Sequence, residues 1–191
     1  MMKHWDWAIQ VQKLHAIPLY KKWHPKCHVM EIDELGINNS NFRQFDFSGL
    51  DKVLFLDNGQ KIDVAQRFRR PSKNPRYEVD FSFRYKTYDQ GYQDKDAEYS
   101  NFIEAYKQGH YFPNRYAFGI TKTDEANGGF KIFNVYNLAD MLKAIVNKDI
   151  MHIAINKNPD DGKQAIYFKL DDLEDFVVWR LKKGQCNLFE F

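Results

Sequence analysis

Carboxylates and cationic side chains follow one another between residues 51 and 85 in an order that suits chemistry on a phosphate group. Asp51, Asp63 and Asp80 offer hard oxygen ligands of the kind that Mg²⁺ or Mn²⁺ takes in proteins. Gln66 and Arg67 follow Asp63 closely, and arginine can hold a phosphate oxygen because it stays charged. Together the five side chains predict a divalent-cation site that activates water for hydrolysis.

A basic segment continues from this point. No carboxylate lies between residues 67 and 76, where the cations Arg69, Arg70, Lys73 and Arg76 follow Arg67. Such a cluster can contact phosphates although the net charge of the whole chain is only +2. These four residues are therefore predicted to bind a nucleic-acid backbone, while a solvated loop face explains the same composition.

Three consecutive strands are expected to position these side chains. Residues 52–56 are rich in β-forming types, Asn58-Gly59 predicts a tight turn, and residues 61–68 form a second run. Residues 77–85 alternate aromatic and polar types and predict a third, adjacent strand. The carboxylates would then meet on neighbouring strands.

The register of the hairpin determines which side chains share a face. With a two-residue loop at Asn58-Gly59, Asp51 is opposite Gln66, and directly opposed residues share one face. Asp63 and Arg67 then lie on the other face. A slip of one residue exchanges the faces, so this assignment depends on the loop length.

The rest of the chain reads as alternating helices and strands, which predicts a mixed α/β fold. The pattern predicts a first helix that ends near Pro18, leaves residues 28–35 undecided, and predicts a loop over 89–100. The predicted helices cover 5–17, 101–108, 137–147 and 171–182, and the predicted strands cover 115–121, 130–135, 150–155 and 164–169.

The composition favours one folded domain over residues 1–191. The chain is 43% hydrophobic and 16% aromatic, which is enough for a core and too apolar for a disordered chain. No apolar run is long enough to span a bilayer, and the polar amino terminus lacks a secretory pattern. Cys27 and Cys186 are far apart in sequence, which argues against a disulfide framework. A cytoplasmic protein without membrane contact is expected.

The run FDFSGLDKVLFLDNGQKIDVAQRFRR resembles the core of the PD-(D/E)xK nucleases, the restriction-endonuclease-like superfamily, and in particular its small phage- and prophage-type members. The first motif falls on residues 49–52, the second on residues 64–70 and the third on residues 80–85. The resemblance implies a restriction-endonuclease-like core, in which helices flank a mixed central sheet. It also implies a Mg- or Mn-dependent nuclease of phages or mobile elements, acting on DNA rather than RNA and compatible with a homodimer.

The same resemblance assigns roles to residues. Asp51, Asp63, Gln66 and Arg67 would be catalytic, and Asp51, Asp63 and Asp80 would bind the metal. The sequence departs from the family pattern at Ala65 or Gln66, where an acid or glutamine is usual, and at Arg67, where lysine is usual. Arg84 also replaces a glutamate of the third motif. A catalytically inactive descendant that binds nucleic acid or a protein is therefore the alternative.

A second, weaker metal pattern lies near the amino terminus. His24, Cys27 and His28 form a run typical of zinc ligands, but no second ligand pair accompanies it. A structural role for these residues is the simpler interpretation.

Overall fold

Two β-sheets and the helices around them form the described part of the chain, which confirms the predicted mixed α/β class. The computed structural model describes residues 4–32, 49–71, 80–86, 98–157 and 164–181. The strands in these ranges are β1 (His28–Glu31), β2 (Lys52–Phe55), β3 (Lys61–Arg69), β4 (Asp80–Lys86), β5 (Arg115–Thr121), β6 (Phe130–Asn137), β7 (Ala154–Lys157), β8 (Gln164–Lys169) and β9 (Val177–Arg180). The α-helices there are α1 (His4–Val11), α2 (Ile17–Trp23), α3 (Glu98–Gln108) and α4 (Leu138–Asn147).

The larger sheet has six strands in the order β1-β2-β3-β5-β6-β9. Strands β3 and β5 pair in parallel, and the other pairs of this sheet are antiparallel. One face of the sheet is covered by the amino-terminal helices. The other face carries α4 and a smaller antiparallel sheet in the order β4-β8-β7.

The prediction that β4 lies beside β3 in one sheet is wrong, since β5 is the second neighbour of β3. Strand β4 instead lies over the face of the larger sheet. Phe81 and Phe83 are fully buried there, and the rings of Phe81 and Phe118 lie 4.7 Å apart. Aromatic burial between two layers therefore places β4, rather than pairing with the preceding strand.

The first helix does not end at Pro18 as predicted. The helical path continues from α1 through a π-helical turn, Gln12–Ala16, into α2. Pro18 is the second residue of α2 and has no amide to donate, so it falls directly after the π-helical turn. The amide of Ile17 donates to the carbonyl of Gln12, so the wider turn lets the chain accommodate the proline.

The β2–β3 hairpin has a three-residue loop, and the predicted two-residue register is wrong. Phe55 pairs with Lys61 and Val53 pairs with Asp63. The amide of Leu56 donates to the carbonyl of Gln60 at 2.8 Å, which closes the loop one residue earlier than predicted. Gly59 has a φ of +81°, the left-handed conformation typical of the last residue in such loops. Each residue of β2 therefore faces a partner one position away from the predicted one.

Two other elements differ from their predictions. The predicted helix over 171–182 is a 3₁₀ turn, Asp171–Phe176, followed by β9, whose alternating burial is that of a half-buried edge strand. The predicted strand over 150–155 begins later, at Ala154, because Ile150 is buried in the core beyond α4. The stretch 28–35, for which the sequence pattern did not decide between strand and helix, contains β1. Helix α3 begins at Glu98, inside the loop predicted over 89–100.

The other predicted elements match closely where they are described, and residues 77–79 and 87–97 lie outside the described residues. Within the described ranges, no helix combines the length and the apolar character needed to cross a bilayer.

Candidate functional site

Asp51 lies immediately before β2, at the level where the hairpin opens. Its backbone amide donates to the carbonyl of Val64 at 3.0 Å, and its Oδ2 accepts the backbone amide of Gln66 at 2.6 Å. The register of β2 with β3 ends at the pair Lys52 and Val64, so no backbone carbonyl of β2 accepts the amide of Gln66. The side chain of Asp51 accepts that amide instead. The carboxylate is thereby fixed at the open edge of β3.

The side chain of Gln66 points to the amino-terminal helices. Its Oε1 accepts the hydroxyl of Tyr20 at 3.0 Å, and its Nε2 donates to Oε1 of Gln12 at 2.6 Å. Burial, and then the charge of Asp51, raise the pKa of Tyr20 well above its ordinary value. Gln66 thus links the helix to the sheet through its side chain and contacts Asp51 through its backbone.

A second carboxylate approaches Asp51 from α3. Oε1 of Glu98 accepts the hydroxyl of Tyr116 at 2.9 Å, and its Oε2 accepts the backbone amide of Arg84 at 2.9 Å. The same Oε2 lies 3.7 Å from a guanidinium nitrogen of Arg67. Glu98 was missed by the sequence analysis, which assigned its segment to a loop. An acidic residue in the first turn of a helix is the one local signal that it carries.

We call Asp51, Gln66, Arg67, Arg84 and Glu98 the Asp51 cluster. Burial raises the pKa of the Asp51 carboxyl to about 7, with a further upward contribution from the charge of Glu98. The hydrogen bond from Gln66 and the charges of Lys52 and Arg84 oppose this rise. Burial therefore favours the protonated form of Asp51, which reduces the negative charge of the cluster.

Asp63 and Asp80, the other two predicted metal ligands, have different surroundings. Oδ2 of Asp63 accepts the hydroxyl of Tyr111 at 2.7 Å and lies 3.7 Å from the ammonium of Lys61. Asp80 opens β4 in the smaller sheet, and its backbone carbonyl accepts Arg69 at 2.7 Å. The carboxylate whose charge acts on Asp51 is that of Glu98, rather than that of Asp63 or Asp80.

The predicted trio of metal ligands is thus not brought together. Within the ranges that the structure describes, no group of three or more histidine, cysteine, aspartate or glutamate side chains is placed to hold a metal ion. This statement also covers His24, Cys27 and His28, of which Cys27 is buried and in contact with the carbonyl of Tyr20. The described residues therefore do not form the expected three-carboxylate centre.

The predicted phosphate-binding arginines lie near the open edge of β3. The Arg70 guanidinium lies 5.0 Å from the ring centroid of Trp7, and Arg69 lies 5.9 Å from that of Phe118. The Nε atoms of Arg67 and Arg70 are buried without a hydrogen-bond acceptor among the described residues. Lys73 and Arg76 lie outside the described residues. The edge of β3 therefore concentrates guanidinium groups on both of its faces.

No protein-family model, no curated protein and no solved structure matches this chain. The resemblance to the restriction-endonuclease-like superfamily therefore stays a prediction from the sequence motifs.

Proposed function

We propose that this chain binds the phosphate backbone of DNA at the Asp51 cluster and the adjoining arginines, without metal-dependent cleavage. This is the inactive-descendant alternative of the sequence analysis. The observation that carries it is the composition of the cluster, in which two arginines accompany two carboxylates and burial raises the pKa of one of them, Asp51.

The local charge suits an anion better than a cation. A guanidinium nitrogen of Arg67 lies 3.7 Å from the carboxylate of Glu98, and the charge of Arg84 acts on Asp51. A divalent cation would have to displace or tolerate these guanidinium groups, whereas a phosphate would be attracted to them.

The surroundings of the Arg67 guanidinium support the same conclusion. Its distance to Glu98 is 3.7 Å, which is too long for a direct hydrogen bond, and its Nε has no acceptor among the described residues. A phosphate group offers an arginine two oxygens for bidentate pairing, which Glu98 does not provide here. Such contacts position a nucleic acid without reading its sequence.

Fluorescence anisotropy with labelled single-stranded and duplex DNA tests the proposal. We expect binding that weakens steeply as the salt concentration rises, because phosphate contacts release counterions. Plasmid DNA incubated in parallel with Mg²⁺ or Mn²⁺ should remain intact. An affinity that does not respond to salt, or the absence of any binding at low salt, contradicts the proposal.

A Mg-dependent nuclease remains the second candidate, because one specific observation favours it. Glu98 raises the pKa of Asp51, so the two carboxylates are close enough to interact, and Arg67 occupies the position of the usual lysine. Two carboxylates are sufficient for some Mg²⁺ sites that keep several waters. Under this candidate, Asp51→Asn and Glu98→Gln would each abolish a metal-dependent cleavage that the parent protein displays.

A further inference from the structure

A separate open cavity of about 520 Å³ lies at the turn end of the β2–β3 hairpin. Two cationic side chains and one histidine line it: Lys61 begins β3, Arg115 begins β5 and His24 follows α2. Burial, and then the charge of Arg115, lower the pKa of His24, so the positive charge comes from Lys61 and Arg115. No carboxylate belongs to its lining among the residues that the structure describes. Its polar wall is therefore positive.

Two nitrogen atoms in this wall are left without acceptors. Nε2 of His24 and Nε of Arg115 are buried and make no hydrogen bond to any described residue. Because these atoms are shielded from solvent, a ligand in the open cavity would contact the more exposed guanidinium end of Arg115, whose Nη1 donates to the carbonyl of Asn114 at 2.8 Å. Lys61 lies 3.7 Å from Asp63 but keeps 64% of its side chain exposed, so its ammonium can reach a ligand.

Apolar side chains also line the cavity. Trp23, Leu56 and Ile62 are among them, and the ring of Trp23 lies 4.4 Å from the ring of His24. A few convergent polar groups beside an apolar wall are the usual composition of a small-molecule site.

The cavity is distinct from the Asp51 cluster. Lys61 and Arg67 are six positions apart on β3, which corresponds to roughly 20 Å along an extended strand. A variant that loses DNA binding at the Asp51 cluster would therefore keep the cavity intact.

We propose that this cavity binds a small phosphate monoester, with the phosphate between His24, Lys61 and Arg115 and an apolar group against Leu56 and Ile62. The inference does not depend on the function proposed for the Asp51 cluster. The same chemistry has two sources, a free phosphomonoester or the terminal phosphate of a nucleic-acid strand.

NMR titration of the full chain tests the proposal with phenyl phosphate, and phenol serves as the uncharged comparison. We expect phenyl phosphate to shift the indole signal of Trp23 and the ring signals of His24 in a saturable manner, and phenol to leave them unchanged. A short oligonucleotide with a terminal phosphate and its unphosphorylated twin distinguish the two sources. Absence of saturable shifts with every phosphate-bearing probe overturns the proposal.

Charge-removing variants provide the second readout. Arg115→Gln and Lys61→Gln should each weaken phenyl phosphate binding by about tenfold, because each removes a charge-assisted contact. Lys61 is exposed, so its variant folds even where Arg115→Gln does not. Lys143→Gln, exposed on α4, is the matched control and should bind like the parent. Equal affinities of Lys61→Gln and the parent overturn the assignment.

Discussion

Oδ2 of Asp51 accepts the backbone amide of Gln66 at 2.6 Å, so the predicted metal ligand caps the open edge of β3. The sequence analysis placed these two residues opposite each other as side chains on one face. The three-residue loop shifts the pairing, and Asp51 reaches the amide of Gln66 rather than its side chain. The carboxylate has a structural role before any ligand is considered.

The raised pKa of Asp51 predicts a loss of stability as the pH rises. The pKa of this carboxyl is about 7 in the folded protein and near the ordinary value of 3.8 when unfolded, so the folded state binds more protons between these values. Its contribution to stability is fully present below the unfolded value and is lost as the pH rises through about 7. Asp51→Asn, which retains an acceptor for Gln66, should remove this dependence.

Urea unfolding at acidic and at mildly alkaline pH measures the effect. Above the folded pKa, Asp51→Asn should be more stable than the parent by roughly 1 to 3 kcal/mol, and the difference should shrink under acidic conditions. Asp57→Asn, exposed in the hairpin loop, is the control and should follow the parent. A variant that loses stability equally at both pH values contradicts the account.

Restoring an acid to the second motif should have opposite consequences at its two candidate positions. Ala65 is fully buried in the aromatic core, so Ala65→Glu should lower the free energy of unfolding by about 3 kcal/mol or more. Gln66→Glu keeps the acceptor for Tyr20 and should cost about 1 kcal/mol. Denaturant midpoints compare the two variants, and a milder effect of Ala65→Glu would show that the core position is misassigned.

Mg²⁺ should not bind at the Asp51 cluster in the absence of DNA. The described residues place no third carboxylate, histidine or cysteine beside Asp51 and Glu98, and two arginines lie nearby. In isothermal titration with Mg²⁺ or Mn²⁺, the parent protein should show no saturable heat of binding. Asp51→Asn should give the same result as the parent. Saturable binding that is lost in both Asp51→Asn and Glu98→Gln would favour the nuclease candidate.

Glu98 should compete with DNA for Arg67. Glu98→Gln removes a charge 3.7 Å from Arg67 but keeps an oxygen for Tyr116 or for the amide of Arg84. We expect DNA affinity to rise about threefold to tenfold, which corresponds to the loss of one weak ion pair. Glu104→Gln, exposed on the same helix, is the control. Weaker DNA binding by Glu98→Gln would contradict the role assigned to Arg67.

Local patterns predicted most of the elements but not their relative placement. Residues 115–121 and 164–169 were predicted with the bounds that β5 and β8 have, because period-two alternation is a local signal. The hairpin register depended on a single extra loop residue, for which Asn58-Gly59 also suits a two-residue turn. The position of β4 over β5 depends on aromatic contacts between distant segments, such as that of Phe81 with Phe118.

The candidate site was predicted in part for the same reason. Asp51, Gln66 and Arg67 lie on one hairpin, so their proximity followed from the sequence. Glu98 reaches them through tertiary contacts with Tyr116 and Arg84, which no spacing rule encodes. Asp63, which precedes the second motif, was assigned to the site as a carboxylate that could take over metal binding, although its hydrogen-bond partner, Tyr111, lies on a distant segment.

The salt dependence of DNA binding tests the central claim most directly. Arg67→Gln and Arg84→Gln should each lower the slope of log affinity against log salt by about one, measured from about 50 to about 200 mM salt, with Lys143→Gln as the control. That result is expected if both guanidinium groups contact phosphates. Unchanged slopes and affinities in both variants would contradict a phosphate-binding role for the Asp51 cluster.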